Sequence, residues 1–301
     1  MQVPGPRADD RQVYVVDDKS GVVVVTIDRP ASRNALADQT LLELEEAFAR
    51  CGDDDAVGAL ILTGAGSAFC AGGDLRSPRR SGHGALGPAW RIACAERVVL
   101  SLATMRKPTI AAVEGPAVGA GWGLAQACDL VVAARDAFFA APFVLRGLVP
   151  DGGTAWFLTQ ALGRHRATEL LFLGERLTAP DAAQAGLVNR LVEPGTALDS
   201  ALELARRLAV GPADALVLAK FLIRRSTVSG LEALLEDELT SAALNLHGPD
   251  AMEGRRAFAE KRAPAFARRP DSRSPSGNAS SMDEPPLGRA EAAPNGRFST
   301  S

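Results

Sequence analysis

Short apolar runs rich in β-branched residues alternate with segments of helical periodicity through the first half of the chain. Such runs predict buried strands, and they occur at residues 22–28 (VVVVTID), 58–63 (GALILT) and 109–115 (TIAAVEG). Between the first two, NALADQTLLELEEAFARC places Leu41, Leu44 and Phe48 at helical spacing. A further strand is predicted after a short helix in CDLVVAARDAFFAAP. This alternation favours an α/β fold with stacked strand–helix units and covered sheets.

The chain changes character after about residue 155. Helical patterns such as TAWFLTQALG, ADALVLAKFLIRRS and LEALLEDELTSAALNL follow one another, divided by glycine and proline. They predict a helical layer. Residues 268–301 are rich in Pro, Ser, Gly and Asn and have almost no large apolar side chains. We predict a disordered tail there, because so little apolar surface cannot offset the entropy of ordering.

Composition narrows the possible classes of function. With 301 residues, of which 47% are hydrophobic, the chain is long enough to bury a large core. Its net charge is only -3 and no stretch interleaves basic and aromatic residues, which argues against a nucleic-acid partner. No apolar run is long enough for a membrane span, and the start MQVPGPRADDRQ lacks the apolar core of a signal peptide. We therefore expect a cytoplasmic protein without a membrane partner.

Cysteine and histidine form no recognisable site in this sequence. The cysteines are Cys51, Cys70, Cys94 and Cys128, and the histidines are His83, His165 and His247. No two cysteines have C-x-x-C spacing, which argues against a zinc site or a disulfide framework. No histidine lies beside a candidate serine or cysteine nucleophile, so a histidine triad is not expected. We predict core thiols and no metal site.

Two glycine-rich turns each follow a predicted strand, at residues 62–75 (LTGAGSAFCAGGDL) and 114–130 (EGPAVGAGWGLAQACDL). Glycine and alanine let a ligand approach bare backbone N–H groups, and the start of a helix adds positive potential there. Such an arrangement stabilises an oxyanion. Glycine-rich turns between a strand and a helix are also common without any binding role, so either turn alone is weak evidence for a site. Neither has the Gly-Lys-Ser/Thr ending of a phosphate loop or the dinucleotide fingerprint, which argues against nucleotide chemistry.

Five blocks of sequence resemble the crotonase (enoyl-CoA hydratase/isomerase) superfamily. They are RPASRNAL (29–36), AFCAGGDL (68–75), EGPAVGAGWGLAQACDL (114–130), GLVPDGGT (147–154) and LTAPDAAQAGLVNRLVEP (177–194). The resemblance implies a spiral of ββα units followed by a helical trimerisation region, assembled as a homotrimer or a dimer of trimers. It divides the chain into a flexible N-terminus (1–12), a spiral core with the acyl-CoA site (13–200), a trimerisation region (201–267) and the disordered tail (268–301).

The same resemblance implies an acyl-CoA thioester substrate and assigns roles to individual residues. It gives the oxyanion hole to the backbone N–H groups of Ala71 and Ala120, and it needs no cofactor, since CoA is part of the substrate. The residues that would bind substrate are Arg33, Ala35, Gly72, Gly73, Asp74, Leu75, Gly119, Trp122, Gly123, Phe143 and Lys261. Three of them have a plainer alternative. Arg33 and Lys261 could be solvated cations, an alternative that fits Lys261 as well as the binding role does, and Asp74 fits a helix cap better than a catalytic group.

The reaction depends on the side chains that face the acyl group, because the fold alone does not determine it. Hydrating members of the superfamily carry two glutamates that hold a water, and the matching positions here are Gly123 and Phe143. Neither can hold a water through its side chain or transfer a proton. Apolar rings at Phe143, Trp122 and Phe139 would also leave the acyl pocket poor at holding water. The hydratase mechanism is therefore not favoured.

Asp151 matches the position at which the superfamily's double-bond isomerases carry their acid/base. In isolation, an aspartate in Pro-Asp-Gly is more often a turn residue, but the surrounding blocks favour the catalytic role. An apolar pocket would raise its pKa and strengthen it as a base. We expect a cofactor-free acyl-CoA isomerase that acts on a 3-enoyl-CoA or on the ring-epoxide of phenylacetyl-CoA. The alternatives are a hydratase, an aryl-CoA dehalogenase with Asp151 as nucleophile, and a non-catalytic acyl-CoA-binding trimer.

Overall fold

The computed structural model describes residues 11–77 and 89–266 in full, together with the backbone of residues 87 and 88. The strands are β1 (Val13–Asp17), β2 (Val22–Ile27), β3 (Ala59–Gly64), β4 (Thr109–Val113), β5 (Pro116–Val118), β6 (Leu130–Ala134), β7 (Phe138–Ala140), β8 (Arg176–Thr178) and β9 (Arg190–Val192). The helices are α1 (Asp38–Asp53), α2 (Gly87–Thr104), α3 (Ala120–Ala127), α4 (Thr154–Leu173), α5 (Ala179–Gln184), α6 (Ala197–Ala209), α7 (Ala213–Ser226), α8 (Leu231–Leu246) and α9 (Pro249–Ala259).

The strands form one large and one small sheet. The large sheet has the order β1-β2-β3-β4-β6-β9, in which β1 is antiparallel to β2 and the remaining pairs are parallel. Every residue of β2, β3 and β4 is buried, as expected for parallel strands covered on both faces. The small sheet has the order β5-β7-β8.

From β4 to β7, successive strands alternate between the two sheets, which confirms the spiral of ββα units. β4 lies in the large sheet, β5 in the small sheet, and α3 follows them; β6, β7 and α4 repeat the pattern. One core cluster lies beneath α1, α2 and α3, where Leu41, Leu44 and Phe48 are fully buried as their spacing predicted. A second cluster joins the other face of the large sheet to Ala201, Leu202 and other residues of α6.

The C-terminal helices fall into two groups, and this moves one predicted boundary. Residue 200 lies inside α6, and α6 packs against β3 and β4 of the large sheet. The helical region that stands apart from the sheet therefore begins at α7, in which no residue is buried within one chain. The predicted tail at 268–301 and nearly all of the predicted flexible segment at 1–12 lie outside the described residues. Gln12 is described, and its N–H donates to Glu43 at 2.7 Å.

All four cysteines are buried and unpaired, as predicted. Burial raises the pKa of the Cys70 thiol to about 12, so it stays protonated and unreactive near neutral pH. Within residues 11–77 and 87–266, no helix is long and apolar enough to cross a membrane.

Candidate active site

Two segments that are distant in sequence run side by side at the edge of the core. The N–H of Leu36 donates to the carbonyl of Gly72 at 2.8 Å, and the N–H of Asp74 donates to the carbonyl of Leu36 at 3.0 Å. This parallel bridge brings Arg33 and Ala35 next to residues 71–75. The residues predicted to bind the CoA part of a substrate therefore meet in one place.

Asn34 holds this arrangement together, although its role was not predicted. It is fully buried, and its side-chain amide donates to the carbonyls of Ala65 at 2.9 Å and Ala68 at 2.7 Å. Its carbonyl oxygen accepts the N–H of Arg29 at 2.9 Å. Arg33 and Asn34 both have positive φ, a conformation that asparagine tolerates better than most residues. The sequence feature that could have indicated this structural role is the asparagine within the block RPASRNAL.

The predicted oxyanion donor Ala71 is wrong in this structure, because its N–H is already engaged. It donates to the carbonyl of Arg33 at 2.9 Å. Two residues later, the N–H of Gly73 has no acceptor among the described residues. The bridge to Leu36 uses the carbonyl of Gly72 and the N–H of Asp74, so the Gly73 N–H points to the opposite side. A Cβ at Gly73 would meet nothing within 4 Å, so the space beside it is open.

The start of α3 supplies the second backbone donor. Ala120 is the first residue of this helix, and its N–H has no acceptor in the part of the chain that the structure describes. Gly119 precedes it with φ 57° and ψ -127°, which only glycine adopts readily. A Cβ on Gly72 would lie 3.5 Å from the Ala120 nitrogen, so the two glycine-rich turns are adjacent. The predicted donor Ala120 thus lies where the helix dipole adds positive potential.

The turn that carries Asp151 packs directly against α3. A Cβ on Gly123 would overlap the carbonyl oxygen of Gly152, and a Cβ on Gly152 would lie 3.0 Å from the Cα of Ala120. The hydroxyl of Thr154 donates to the carbonyl of Asp151 at 2.8 Å and is 3.3 Å from the carbonyl of Gly119. Because backbone meets backbone here, the turn is fixed against the start of α3 and no side chain fits between them.

Asp151 is in an environment that favours its protonated form. Its Oδ1 is buried and has no hydrogen-bond partner among the described residues. Burial, and to a smaller extent the charge of Glu96 on α2, raise the pKa of the carboxyl above its usual range. An unpaired buried carboxylate oxygen is costly for folding, and such groups are frequent at functional sites.

The three predicted aromatic residues of the pocket separate into two groups. The Phe143 ring is buried and its edge lies 3.5 Å from the position of a Cβ on Gly119, so it covers the side of the Ala120 donor. Trp122 is fully buried and its ring centre is 5.7 Å from that of Phe139, also fully buried. The two rings therefore pack together in the core, the Trp122 Nε1 is buried without a hydrogen-bond partner among the described residues, and their place in the acyl pocket stays a prediction. The Trp122 side chain lies on a different side of α3 from Ala120 and Gly123, which face the Asp151 turn.

Asp74 accepts hydrogen bonds from the backbone that follows it, whereas the residues directly after Ser77, where a capped helix was expected, lie outside the described residues. Its Oδ1 accepts the N–H groups of Arg76 and Ser77, both at 3.0 Å, and its Oδ2 pairs with Arg29 at 2.9 Å. Burial raises its pKa, but the hydrogen bonds from Arg29 and from the two N–H groups outweigh burial and hold the pKa below its usual range. Arg29 also donates to the carbonyl of Ala35, so it ties both segments together. The side chain of Leu75 is exposed beside them.

Lys261 is not brought to this site within one chain. It follows α9, is exposed, and its N–H donates to the carbonyl of Phe258 at 3.2 Å. Its role on the CoA of a neighbouring subunit stays a prediction. Among the described residues, no three His, Cys, Asp or Glu side chains come together as metal ligands.

Spiral sheets, paired glycine-rich turns and appended C-terminal helices define an α/β protein of the crotonase type. Residues 17–269 match the family model described as enoyl-CoA hydratase/isomerase. An enoyl-CoA hydratase structure from Polaromonas sp. JS666 superimposes with a TM-score of 0.80 at 36% identity, covering 85% of this chain and 99% of the other. The chain belongs to the enoyl-CoA hydratase/isomerase family.

Relatives with different activities are similar to this chain to almost the same degree. A 1,2-epoxyphenylacetyl-CoA isomerase of Escherichia coli (strain K12) is 38% identical over 253 residues, which cover 82% of this chain and 95% of that protein. A 4-chlorobenzoyl coenzyme A dehalogenase of Arthrobacter sp. is 34% identical, with coverages of 82% and 90%. A 2,3-dehydroadipyl-CoA hydratase of Escherichia coli (strain K12) is also 34% identical, with coverages of 84% and 97%.

Proposed function

We propose that the protein is an acyl-CoA isomerase that converts a 3-enoyl-CoA to a 2-enoyl-CoA, or isomerises the ring-epoxide of phenylacetyl-CoA, with Asp151 as its acid/base. The observation that carries the proposal is the packing of the Asp151 turn on Gly123. Because a Cβ at Gly123 would overlap the Gly152 carbonyl, the first glutamate of a hydratase has no room. Phe143 occupies the second position, and Asp151 is left with a buried, unpaired oxygen.

The reaction requires one proton carrier and two backbone donors. Asp151 removes a proton from carbon 2 of the 3-enoyl thioester, and the electron pair moves onto the thioester oxygen as a dienolate. The N–H groups of Gly73 and Ala120 hydrogen-bond that oxygen; losing one such donor typically costs about a hundredfold or more in rate. Asp151 then returns the proton to carbon 4, the double bond forms between carbons 2 and 3, and the carbonyl is restored. No water and no cofactor enters the balance.

The electrostatics of Asp151 supports this role. A carboxylate with an ordinary pKa is a weak base towards a carbon acid, and burial raises the pKa of Asp151. The ring of Phe143 beside Gly119 excludes water from the donor side, which strengthens hydrogen bonds to an oxyanion. The relative of E. coli named as a 1,2-epoxyphenylacetyl-CoA isomerase is consistent with the same chemistry.

We also propose that the protein assembles as a trimer or a dimer of trimers, through the region that begins at α7. Large apolar side chains are exposed along this region of the single chain, at Ile223, Val228, Leu231, Leu235, Leu239, Leu244, Leu246, Met252 and Phe258. Exposed large apolar side chains concentrated in one region support a protein–protein contact there.

Incubation with a 3-enoyl-CoA and, separately, with a 2-enoyl-CoA tests the activity. We expect isomerised product from the first and at most slow 3-hydroxyacyl product from the second. Asp151→Asn should lower turnover by roughly a hundredfold to ten-thousandfold while CoA-thioester affinity is retained. Hydration without isomerisation would contradict the proposal in favour of a hydratase, and an aryl adduct on Asp151 in the mass spectrum would favour the dehalogenase mechanism. A wild type that binds acyl-CoA but turns over none of these thioesters would be a binding protein.

A further inference from the structure

α2 lies against the turn that carries Asp151, and it brings a second carboxylate to the site. Val99 of α2 is buried, and its Cγ1 is 3.4 Å from the position of a Cβ on Gly153. Glu96 lies three residues before Val99, on the neighbouring turn of the same side of the helix. Its side chain is exposed. The contact of Val99 with Gly153 therefore places the Glu96 position of α2 one helical turn from residues that touch the Asp151 turn.

The elements that pack around Asp151 supply no positive charge of their own to balance this pair, as far as the described residues show. α3 (AGWGLAQA) contains no ionisable residue, and α4 has none before Arg164. In the loop before the turn, Arg146 is the charged side chain, and its guanidinium donates to the carbonyl of Pro142 at 3.0 Å.

The cations of α2 are also engaged elsewhere. Arg97 pairs with Glu45 at 2.8 Å, and Arg91 pairs with Asp38 at 2.5 Å. Besides burial, the negative charge of Glu96 raises the pKa of the Asp151 carboxyl by repulsion. A like charge favours the protonated form of its neighbour.

We propose that Glu96 is a positioning residue of this site, whose carboxylate, on the helix that contacts the 151–153 turn through Val99 and Gly153, makes Asp151 bind a proton more tightly. The inference rests on the proposed proton transfer and deepens it. Desolvation alone makes Asp151 a stronger base, but it also makes the ionised form costly to hold. A charge on an adjacent, water-exposed side chain adds proton affinity without burying Asp151 further.

The test compares Glu96→Gln with Glu96→Asp and with the control Glu46→Gln. Glu46 is an exposed glutamate of α1, so its substitution makes the same charge change away from the turn. Two readouts are used on the assembled protein. One is the pH profile of kcat/KM with a 3-enoyl-CoA. The other is an infrared titration of the protonated carboxyl in protein labelled with [4-¹³C]aspartate, in which Asp151→Asn identifies the Asp151 band.

Glu96→Gln should move both the acid limb of the pH profile and the infrared midpoint to lower pH, and should lower the rate at the plateau because the base is weaker. Glu96→Asp and Glu46→Gln should keep the wild-type limb and midpoint. If Glu96→Gln changes the rate but moves neither the limb nor the midpoint more than Glu46→Gln does, the inference is wrong and Glu96 is merely structural. If the wild type does not isomerise the substrate, the proposed function fails, and the infrared midpoint still decides the role of Glu96.

Discussion

The carbonyl oxygen of Gly152 occupies the place that a Cβ atom on Gly123 would take. The same turn is tied to α3 by Thr154, which bonds the carbonyls of Asp151 and Gly119. The Asp151 turn therefore requires glycine at position 123, because the Gly152 carbonyl and a side chain at position 123 would occupy the same space.

We predict that Gly123→Glu does not create a hydratase and instead displaces Asp151. Forcing a side chain against backbone typically costs about 1–3 kcal/mol or more, so the variant should unfold at lower denaturant concentration and lose isomerase turnover. Gly123→Ala should show the same loss in milder form. The matched control is Gly52→Ala in α1, where a Cβ meets nothing within 4 Å; it should gain about 0.5–1 kcal/mol through helix propensity. A stable Gly123→Glu protein that hydrates a 2-enoyl-CoA would contradict this reading of the turn.

Asp151→Asn should make the protein more stable at neutral pH while it strongly lowers isomerase turnover. The folded-state pKa of Asp151 is raised, mainly by burial, above its value in the unfolded chain. The folded state therefore binds this proton more tightly, and the associated stability is fully present below the unfolded pKa and is lost as pH rises through the folded pKa. At neutral pH the wild type bears the cost of a buried carboxylate that the asparagine variant avoids.

Denaturant unfolding of both proteins at a series of pH values checks this prediction. The advantage of Asp151→Asn should be largest above the raised pKa and should shrink as the solution is acidified towards the ordinary range of an aspartate. Asp136→Asn, at an exposed aspartate between β6 and β7, serves as the control for the amide substitution. An unchanged or reduced stability of Asp151→Asn at neutral pH would show that the carboxylate has a partner that the single chain lacks.

Asp74→Asn should have the opposite pH dependence. Burial raises the pKa of Asp74, but the hydrogen bonds from Arg29 and from the N–H groups of Arg76 and Ser77 lower it by more than burial raises it. The pKa in the folded state is therefore depressed. A depressed pKa gives stability that is present above the unfolded pKa and is lost as pH falls through the folded one. We expect Asp74→Asn to cost about 1.5–3 kcal/mol near neutral pH, because hydrogen bonds to a charged group are lost. Chemical unfolding should show this difference vanishing in acid; a gap that persists there would point to packing instead.

Local patterns were sufficient to predict β2, β3, β4, β6 and α1, whereas β1, β5, β8 and β9 were not predicted. β2, β3 and β4 are continuous apolar runs whose burial needs no knowledge of distant residues, and the spacing of Leu41, Leu44 and Phe48 fixes the buried face of α1. Asp151 was singled out by the blocks that resemble the superfamily, because its Pro-Asp-Gly turn by itself favours a structural role.

Long-range pairing decided the parts that the sequence could not reveal. Which N–H of AFCAGGDL stays free depends on the pairing of Arg33 with Ala71 and of Leu36 with Gly72, across more than thirty residues. The packing of Trp122 on Phe139 could not be predicted either. The orientation of α3 depends on its long-range contact with Gly152. Glu96 gave no signal, since only packing of α2 brings it to a residue 55 positions later.

A charged residue in the centre of α8 should dissociate the assembly that we propose. Leu235 and Leu239 lie one helical turn apart and are both strongly exposed in the single chain, so one apolar stripe of α8 has no cover within the protomer. Burying a charge in an interface is costly unless it is paired, so Leu239→Glu should reduce the mass measured by light scattering from that of a trimer or hexamer to that of a monomer. Val15→Glu, at an exposed apolar position on β1 outside this region, should leave the mass unchanged. A wild type that is monomeric at assay concentrations would refute the proposed assembly, and with it the predicted role of Lys261 on a neighbouring subunit.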